Sequence, residues 1–260
     1  MSAPAVPEIR CFLTGASSGI GEALARHYAA TGATLGLAAR RRERLENLAA
    51  QLTGRHAIYA LDVADAEAMR AAAADFISGG VPDIVIANAG ISVGTLAHEA
   101  DDMAALRRVF DTNVAGMAQT FQPFIAAMKA RGSGRLVGIA SVAGIRGLPG
   151  AGAYSASKAA TIAYLEALRV ELRGSGIKVV TIAPGYIATP MTAVNRYPMP
   201  FLLPADEAAR RFARAIERGT SYTVIPWQMG VVAKLMRLLP NPVFDRLFAR
   251  AGRKPRGLDL

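Results

Sequence analysis

The chain has 260 residues, 52% hydrophobic and 19% charged, enough apolar material for a large core and too little charge for a disordered protein. Its net charge of +10 leaves a nucleic acid, an anionic membrane surface or an anionic substrate or cofactor open as partners. No apolar run approaches the roughly 18 residues of a membrane helix, and the opening MSAPAVPEIR lacks the basic start and apolar stretch of a signal peptide, so a cytoplasmic protein is expected.

Short, partly β-branched runs recur in chain order: RCFL, TLGLAA, AIYAL, DIVIA, RLVGIA, KVVTIA and YTVI. The stretches 20–31, 41–52, 64–78, 101–130, 154–173 and 205–218 carry helical periodicity and are long enough to cross over between parallel strands. No linker divides the chain. The pattern predicts one α/β domain over 1–260, a Rossmann-type doubly wound sheet of about seven parallel strands with helices on both faces. Such sheets bind ligands beyond the carboxyl ends of their strands, so the residues after each run carry the functional information.

The first run contains the only cysteine, Cys11, which reads as a small buried residue. It leads into TGASSGIG at 14–21 and a helix in which Ile20, Leu24 and Tyr28 recur every four residues. Gly15, Ser17, Ser18, Gly19, Ile20 and Gly21 thus form a glycine-rich turn at a helix start, where bare backbone and free N–H groups face a pyrophosphate. The second run ends in Ala38-Ala39-Arg40-Arg41-Arg42 with no acidic residue to meet a ribose 2′-hydroxyl. Arg40 can instead pair with a 2′-phosphate, which favours NADP(H) over NAD(H); Arg41 and Arg42 read as a solvated helix start. The three histidines are scattered without ligand spacing, and no metal is expected.

Tyr154 and Lys158 stand four apart in AYSASKAATIAYLEALRVEL, so on a helix they share a face. Lowering a phenol by about three pKa units takes roughly 4 kcal/mol. One cation about 4 Å away at an effective dielectric near 20 supplies about that much, with burial opposing it. Tyr154 is therefore expected to exchange protons near neutrality.

Taken together, TGASSGIG, ANAG at 87–90, Asn113, Ser141, YSASK at 154–158 and PGYIATPM at 184–191 resemble the short-chain dehydrogenase/reductase family, in its compact oxidoreductase branch, over residues 10–225. The resemblance implies a Tyr154 general acid and base, with Lys158 lowering its pKa and holding the nicotinamide ribose. It implies that Ser141 binds the substrate oxygen and that Asn113 positions a water linking Lys158 to solvent. It also implies adenine contacts at Asp62 and Val63, ribose contacts at Asn88, Ala89 and Gly90, and nicotinamide contacts at Pro184, Gly185, Ile187 and Thr189. On the residues alone, Asp62 could be a helix cap and Asn88 a strand-end support. Ala87 stands where the family often has a second asparagine, and Ser17 and Ser18 where NADP-preferring relatives often carry a basic residue.

On the substrate side, the region 186–219 brings Met191, Tyr197, Met199, Phe201, Leu202 and Leu203 among prolines, as in an apolar lid. Arg146 reads as a solvated loop residue or a contact for an anionic substrate. In the tail 227–251, Val231, Val232, Leu235, Met236 and Leu239 and then Val243, Phe244, Leu247, Phe248 and Ala251 predict two amphipathic helices, with Lys234, Arg237, Arg246 and Arg250 opposite. Their apolar faces could pack in the core or between subunits, cover the substrate site, or lie on an anionic membrane.

The expected activity is an NADPH-dependent carbonyl reductase, reversible as an alcohol dehydrogenase, acting on a small apolar carbonyl. By resemblance, the helices after Asp101 and Tyr154 form a homodimer or homotetramer interface. The alternatives are a noncatalytic NADP-binding sensor, which intact Ser141, Tyr154 and Lys158 disfavour, and a nucleic-acid binder, which no recognised motif supports.

Overall fold

The computed structural model describes residues 9–257. Seven parallel strands form one sheet in the order β3-β2-β1-β4-β5-β6-β9: β1 (Arg10–Thr14), β2 (Thr34–Ala39), β3 (His56–Ala60), β4 (Ile84–Ala87), β5 (Gly134–Ile139), β6 (Ile177–Pro184) and β9 (Tyr222–Ile225). Each coincides with one of the apolar runs of the sequence. The order reverses between β1 and β4, which places the topological switch point, and hence the ligand crevice, above Thr14 and Ala87.

Both faces of the sheet are covered, as parallel sheets require. Side chains alternate along β1: Cys11 and Leu13 face one layer, Phe12 the other. On the first face lie α1 (Gly19–Ala30), α2 (Arg42–Ala49) and α8 (Ala205–Glu217), which bury Leu24, Tyr28, Leu45, Phe212 and Ile216. On the second, α3 (Ala66–Ser78), α5 (Gly116–Arg131) and α6 (Gly152–Glu171) bury Met69, Phe76, Phe121, Phe124 and Leu165. Phe12 packs edge-on against Phe76 and tilted against Phe124. Fully burying one such ring stabilises the fold by about 2–3 kcal/mol. Cys11 is completely buried, and burial pushes its thiol pKa up.

The stretch expected as one helix over 101–130 is three pieces: α4 (Asp102–Phe110), a π-helical turn (Asp111–Ala115) and α5. The extra residue of a π turn changes which side chains face inward, and here it buries Asn113 completely. The region 186–219 also divides. A short parallel pair, β7 (Ile187–Ala188) with β8 (Leu203–Pro204), brackets the turn α7 (Pro190–Ala193), while α8 beyond it packs on α1 in the core. The tail forms α9 (Trp227–Leu238) and α10 (Asn241–Phe248).

Candidate active site

At the switch point Thr14 ties the two strand ends together. Its hydroxyl donates to the Ile86 carbonyl and accepts from the N–H groups of Asn88 and Ala89 at 3.1 and 3.2 Å. The Asn88 amide donates to the Thr14 and Gly15 carbonyls, so Asn88 does support the strand end while bordering the crevice. A Cβ on Gly15, whose φ is +67°, would sit 2.8 Å from the Ala89 Cα, and one on Gly21 would sit 2.1 Å from the Gly15 carbonyl oxygen. Only glycine lets the loop fold this tightly against β4. The resulting cradle ends at the N-terminus of α1 with its unpaired amides.

All the expected site residues except Gly21 and Asn113 line one cleft of about 230 Å³ along the carboxyl edge of the sheet. At one end Asp62 accepts from the Ala64 N–H. The cap of α3 is Asp65, which accepts from the N–H groups of Glu67 and Ala68, so Asp62 is a turn former and not a helix cap. The basic end differs from expectation. Arg41, read as a solvated helix start, donates to the hydroxyls of Ser17 and Ser18 at 3.0 and 3.1 Å, while Arg40 borders the same cleft. Partial burial and the neighbouring charges of Arg44 and Arg40 lower the Arg41 pKa, the signature of a cationic cluster. Both arginines therefore flank the glycine loop.

At the other end stand Ser141, Tyr154 and Lys158. Ser141 follows β5, and its Oγ accepts from the Ala143 N–H to start a 3₁₀ turn, Val142–Gly144. That turn lies against α6 so closely that a Cβ on Gly144 would come within 2.6 Å of the Lys158 carbonyl carbon. Gly144 thus fixes Ser141 relative to Tyr154 and Lys158, a contribution that AGI in sequence does not announce. Lys158 is buried, donates to the Ile139 carbonyl at 2.7 Å, and is lowered by burial from 10.5 to about 8.

The lowering of Tyr154 expected from one nearby cation does not arise from the protein groups themselves. Burial dominates and raises the phenol, with a hydrogen bond to Ser141 acting in the opposite direction. The Lys158 ammonium is 5.9 Å from the Tyr154 ring centre and turned towards Ile139. Asn113 likewise spends its amide elsewhere: Oδ1 accepts from the Ile91 N–H at 2.8 Å, and Nδ2 donates to the Ile91 carbonyl and to Ser157 Oγ. Its side chain clamps the 91 loop onto α6, and its neighbour Thr112 lines the cleft.

Opening beside this end is a second cavity of about 380 Å³. Ser141 and Tyr154 wall both cavities. Met191 and Tyr197 line the second, whereas Phe201 and Leu202 are exposed and do not. Its far wall comes from the tail, through Val232, Met236, Phe248 and Ala251. Among the described residues Lys254 is its one Lys or Arg; this residue donates to the Met191 carbonyl and is lowered by burial to about 8. The sequence offered no signal for Lys254 beyond a basic tail. Arg256 pairs with Asp102 at 2.8 Å and with Glu99, and the Gly94 N–H donates to the Pro255 carbonyl, so residues 251–257 are strapped across the pocket.

Arg146 neither meets solvent freely nor points into the pocket. It donates to the carbonyls of Met236 and Leu239 and to Asn241 Oδ1, and its guanidinium stacks 3.9 Å from the Phe244 ring centre. One side chain thereby holds the end of α9 and the start of α10.

A family model described as short chain dehydrogenase matches residues 10–199. An uncharacterized oxidoreductase of Myxococcus xanthus is 41% identical over 238 residues, covering 90% of this chain and 93% of its own length. A sulfoacetaldehyde reductase of Chromohalobacter salexigens is 34% identical over 243 residues, covering 91% of each. A short-chain dehydrogenase from Streptomyces avermitilis superposes with a TM-score of 0.77 at 28% identity, covering 92% of this chain and 95% of that one.

Proposed function

This chain belongs to the short-chain dehydrogenase/reductase family and is an oxidoreductase, and from that premise we propose that it reduces a small apolar carbonyl compound with NADPH. The observation that carries the reading is the shared wall. Ser141 and Tyr154 face the long cleft and the second cavity at once, so a group held in one meets a group held in the other beside a hydroxyl and a phenol.

The cleft fits a dinucleotide phosphate. Its glycine cradle has room for backbone contact only, as a pyrophosphate requires. Arg40 and Arg41 beside Ser17 and Ser18 supply the charge and hydroxyls that a 2′-phosphate would take. Arg41 restores, from the end of β2, the basic group that the loop itself lacks. Lys158 and Thr189 line the same cleft and would hold the nicotinamide half. When bound, the cofactor supplies the hydride.

The residues of the chain handle the oxygen. As hydride reaches the carbonyl carbon, negative charge develops on the oxygen; Ser141 Oγ donates a hydrogen bond to it and Tyr154 Oη delivers the proton. Burial holds Tyr154 protonated, the form that reduction needs. The reverse oxidation needs the phenolate and so accelerates as pH rises. Lys158, whose amine titrates near pH 8, sits one helical turn from the phenol and supplies the nearby positive charge that would stabilise the phenolate left after proton delivery. The second cavity, walled by Leu148, Tyr197, Val232, Met236 and Phe248, suits an apolar substrate body. As its relatives' family suggests, the protein works as a homo-oligomer.

Fluorescence titration with NADPH and NADH, followed by a carbonyl panel monitored by loss of reduced-nicotinamide absorbance, tests this. Tighter NADPH binding with turnover is expected. Tight binding without turnover of any carbonyl would favour a sensor, and a preference for NADH would overturn the reading of the arginine pair.

A further inference from the structure

The tail helices are apolar on two sides. Their inner faces reach the pocket through Val232, Met236 and Phe248, with Phe244 pinned beneath Arg146. Arg146 grips the end of the first helix and the start of the second from within. Along the outside of α9, Trp227, Val231, Leu235 and Leu238 are exposed, Leu238 by 79%. Their spacing of four, four and three residues makes one stripe. On α10, Val243 and Leu247 are exposed one turn apart. A single amphipathic face was expected here; the exposed half of the apolar set is what the pocket does not use.

Cations accompany the stripe. Lys234 and Arg237 lie within and beside it on α9, and Arg246 and Arg250 accompany it on and after α10, all four exposed. Between positions 227 and 257 the only carboxylate is Asp245. We propose that this face docks on an anionic bilayer, α9 and α10 lying in the interfacial plane with the leucines in the acyl boundary and the four cations on headgroup phosphates.

The charge pattern selects this occupant. A second copy meeting the face about a twofold axis would set the same four cations against their equivalents, with one aspartate from each side to offset them. A polyanion such as RNA would satisfy the cations and leave six large apolar side chains in water or against phosphate. Only an anionic surface with an apolar layer beneath it satisfies both. Trp227 at the start of α9 presents the amphipathic ring that favours such a boundary. Insertion across the membrane is not implied, since among the described residues no helix is long and apolar enough to cross one.

Trp227 is the only tryptophan of the chain and reports directly. The intact protein is mixed with vesicles of phosphatidylcholine alone and of equimolar phosphatidylcholine and phosphatidylglycerol, at low and high salt. We expect a blue-shifted emission and co-sedimentation with the anionic vesicles only, weakened by salt. The double variant Leu235→Glu/Leu247→Glu should cut partitioning by about tenfold or more while keeping circular dichroism and NADPH binding. Unshifted emission with the protein in the supernatant at low salt would overturn the proposal. So would sedimentation velocity showing that the double variant only converts a dimer to a monomer, which would assign the face to a second copy.

Discussion

Lys158 is held where its charge is unwelcome. Burial brings its amine from 10.5 to about 8, a depression equivalent to about 3 kcal/mol of disfavoured charge, against which its hydrogen bond to Ile139 contributes about 1 kcal/mol. We predict that Lys158→Met raises stability by about 2 kcal/mol while turnover is lost. The sign follows from the lowered pKa. Below about pH 8 the folded wild type carries the buried charge and the full gain appears; between about 8 and 10.5 the folded amine is neutral while the unfolded one is still charged and the gain shrinks, vanishing above 10.5 where both are neutral. Calorimetric melting below and above pH 8 checks this. At the opposite end, Arg41→Ala removes the guanidinium over Ser17 and Ser18 and should weaken NADPH binding about tenfold or more through lost charge-assisted bonds, leaving NADH unchanged. Equal loss for both cofactors, measured by titration, would refute a 2′-phosphate role. That Ser141, Tyr154 and Lys158 line one end of a single cleft was legible, the first through the family resemblance and the other two through their four-residue spacing. That Arg41 bonds to the loop serines was not, because which of two adjacent arginines turns back over the loop depends on how β2 passes into α2.

Among the elements, the strands and crossover helices could be read from periodicity, since each strand is a short apolar run buried on two faces. The π-helical turn Asp111–Ala115 could not, because its inserted residue leaves composition unchanged and alters only which side chains face in. It turns Asn113 towards the Ile91 backbone and Ser157. The tail deceived in another way: a helical repeat of apolar residues looks the same whether they share one face or divide between a pocket and the exterior. Arg146 decides that division by gripping α9 and α10. We expect Arg146→Ala to raise KM for the carbonyl about tenfold without changing the Kd for NADPH, and to speed amide exchange over 227–251. Unaltered exchange in the tail would contradict the clamp.

Across the whole molecule, the sheet order puts the segments of the candidate site at one edge. The glycine loop follows β1, Arg40 and Arg41 follow β2, Asp62 follows β3, Asn88 follows β4, Ser141 follows β5 and Gly185 follows β6. The sequence made this legible because α/β topology turns chain order into spatial order. The pocket was less so, since its walls come from the 186–204 excursion and from a tail strapped back by Arg256 to Asp102 over 154 residues of sequence. The proposed reduction depends on proton delivery by Tyr154 at the wall the two cavities share. Its most direct test compares the wild type with Tyr154→Phe for NADPH oxidation against a carbonyl that the wild type reduces. A loss of about 10³-fold in turnover with NADPH binding retained is expected; a variant turning over near the wild-type rate would rule out the role proposed for Tyr154.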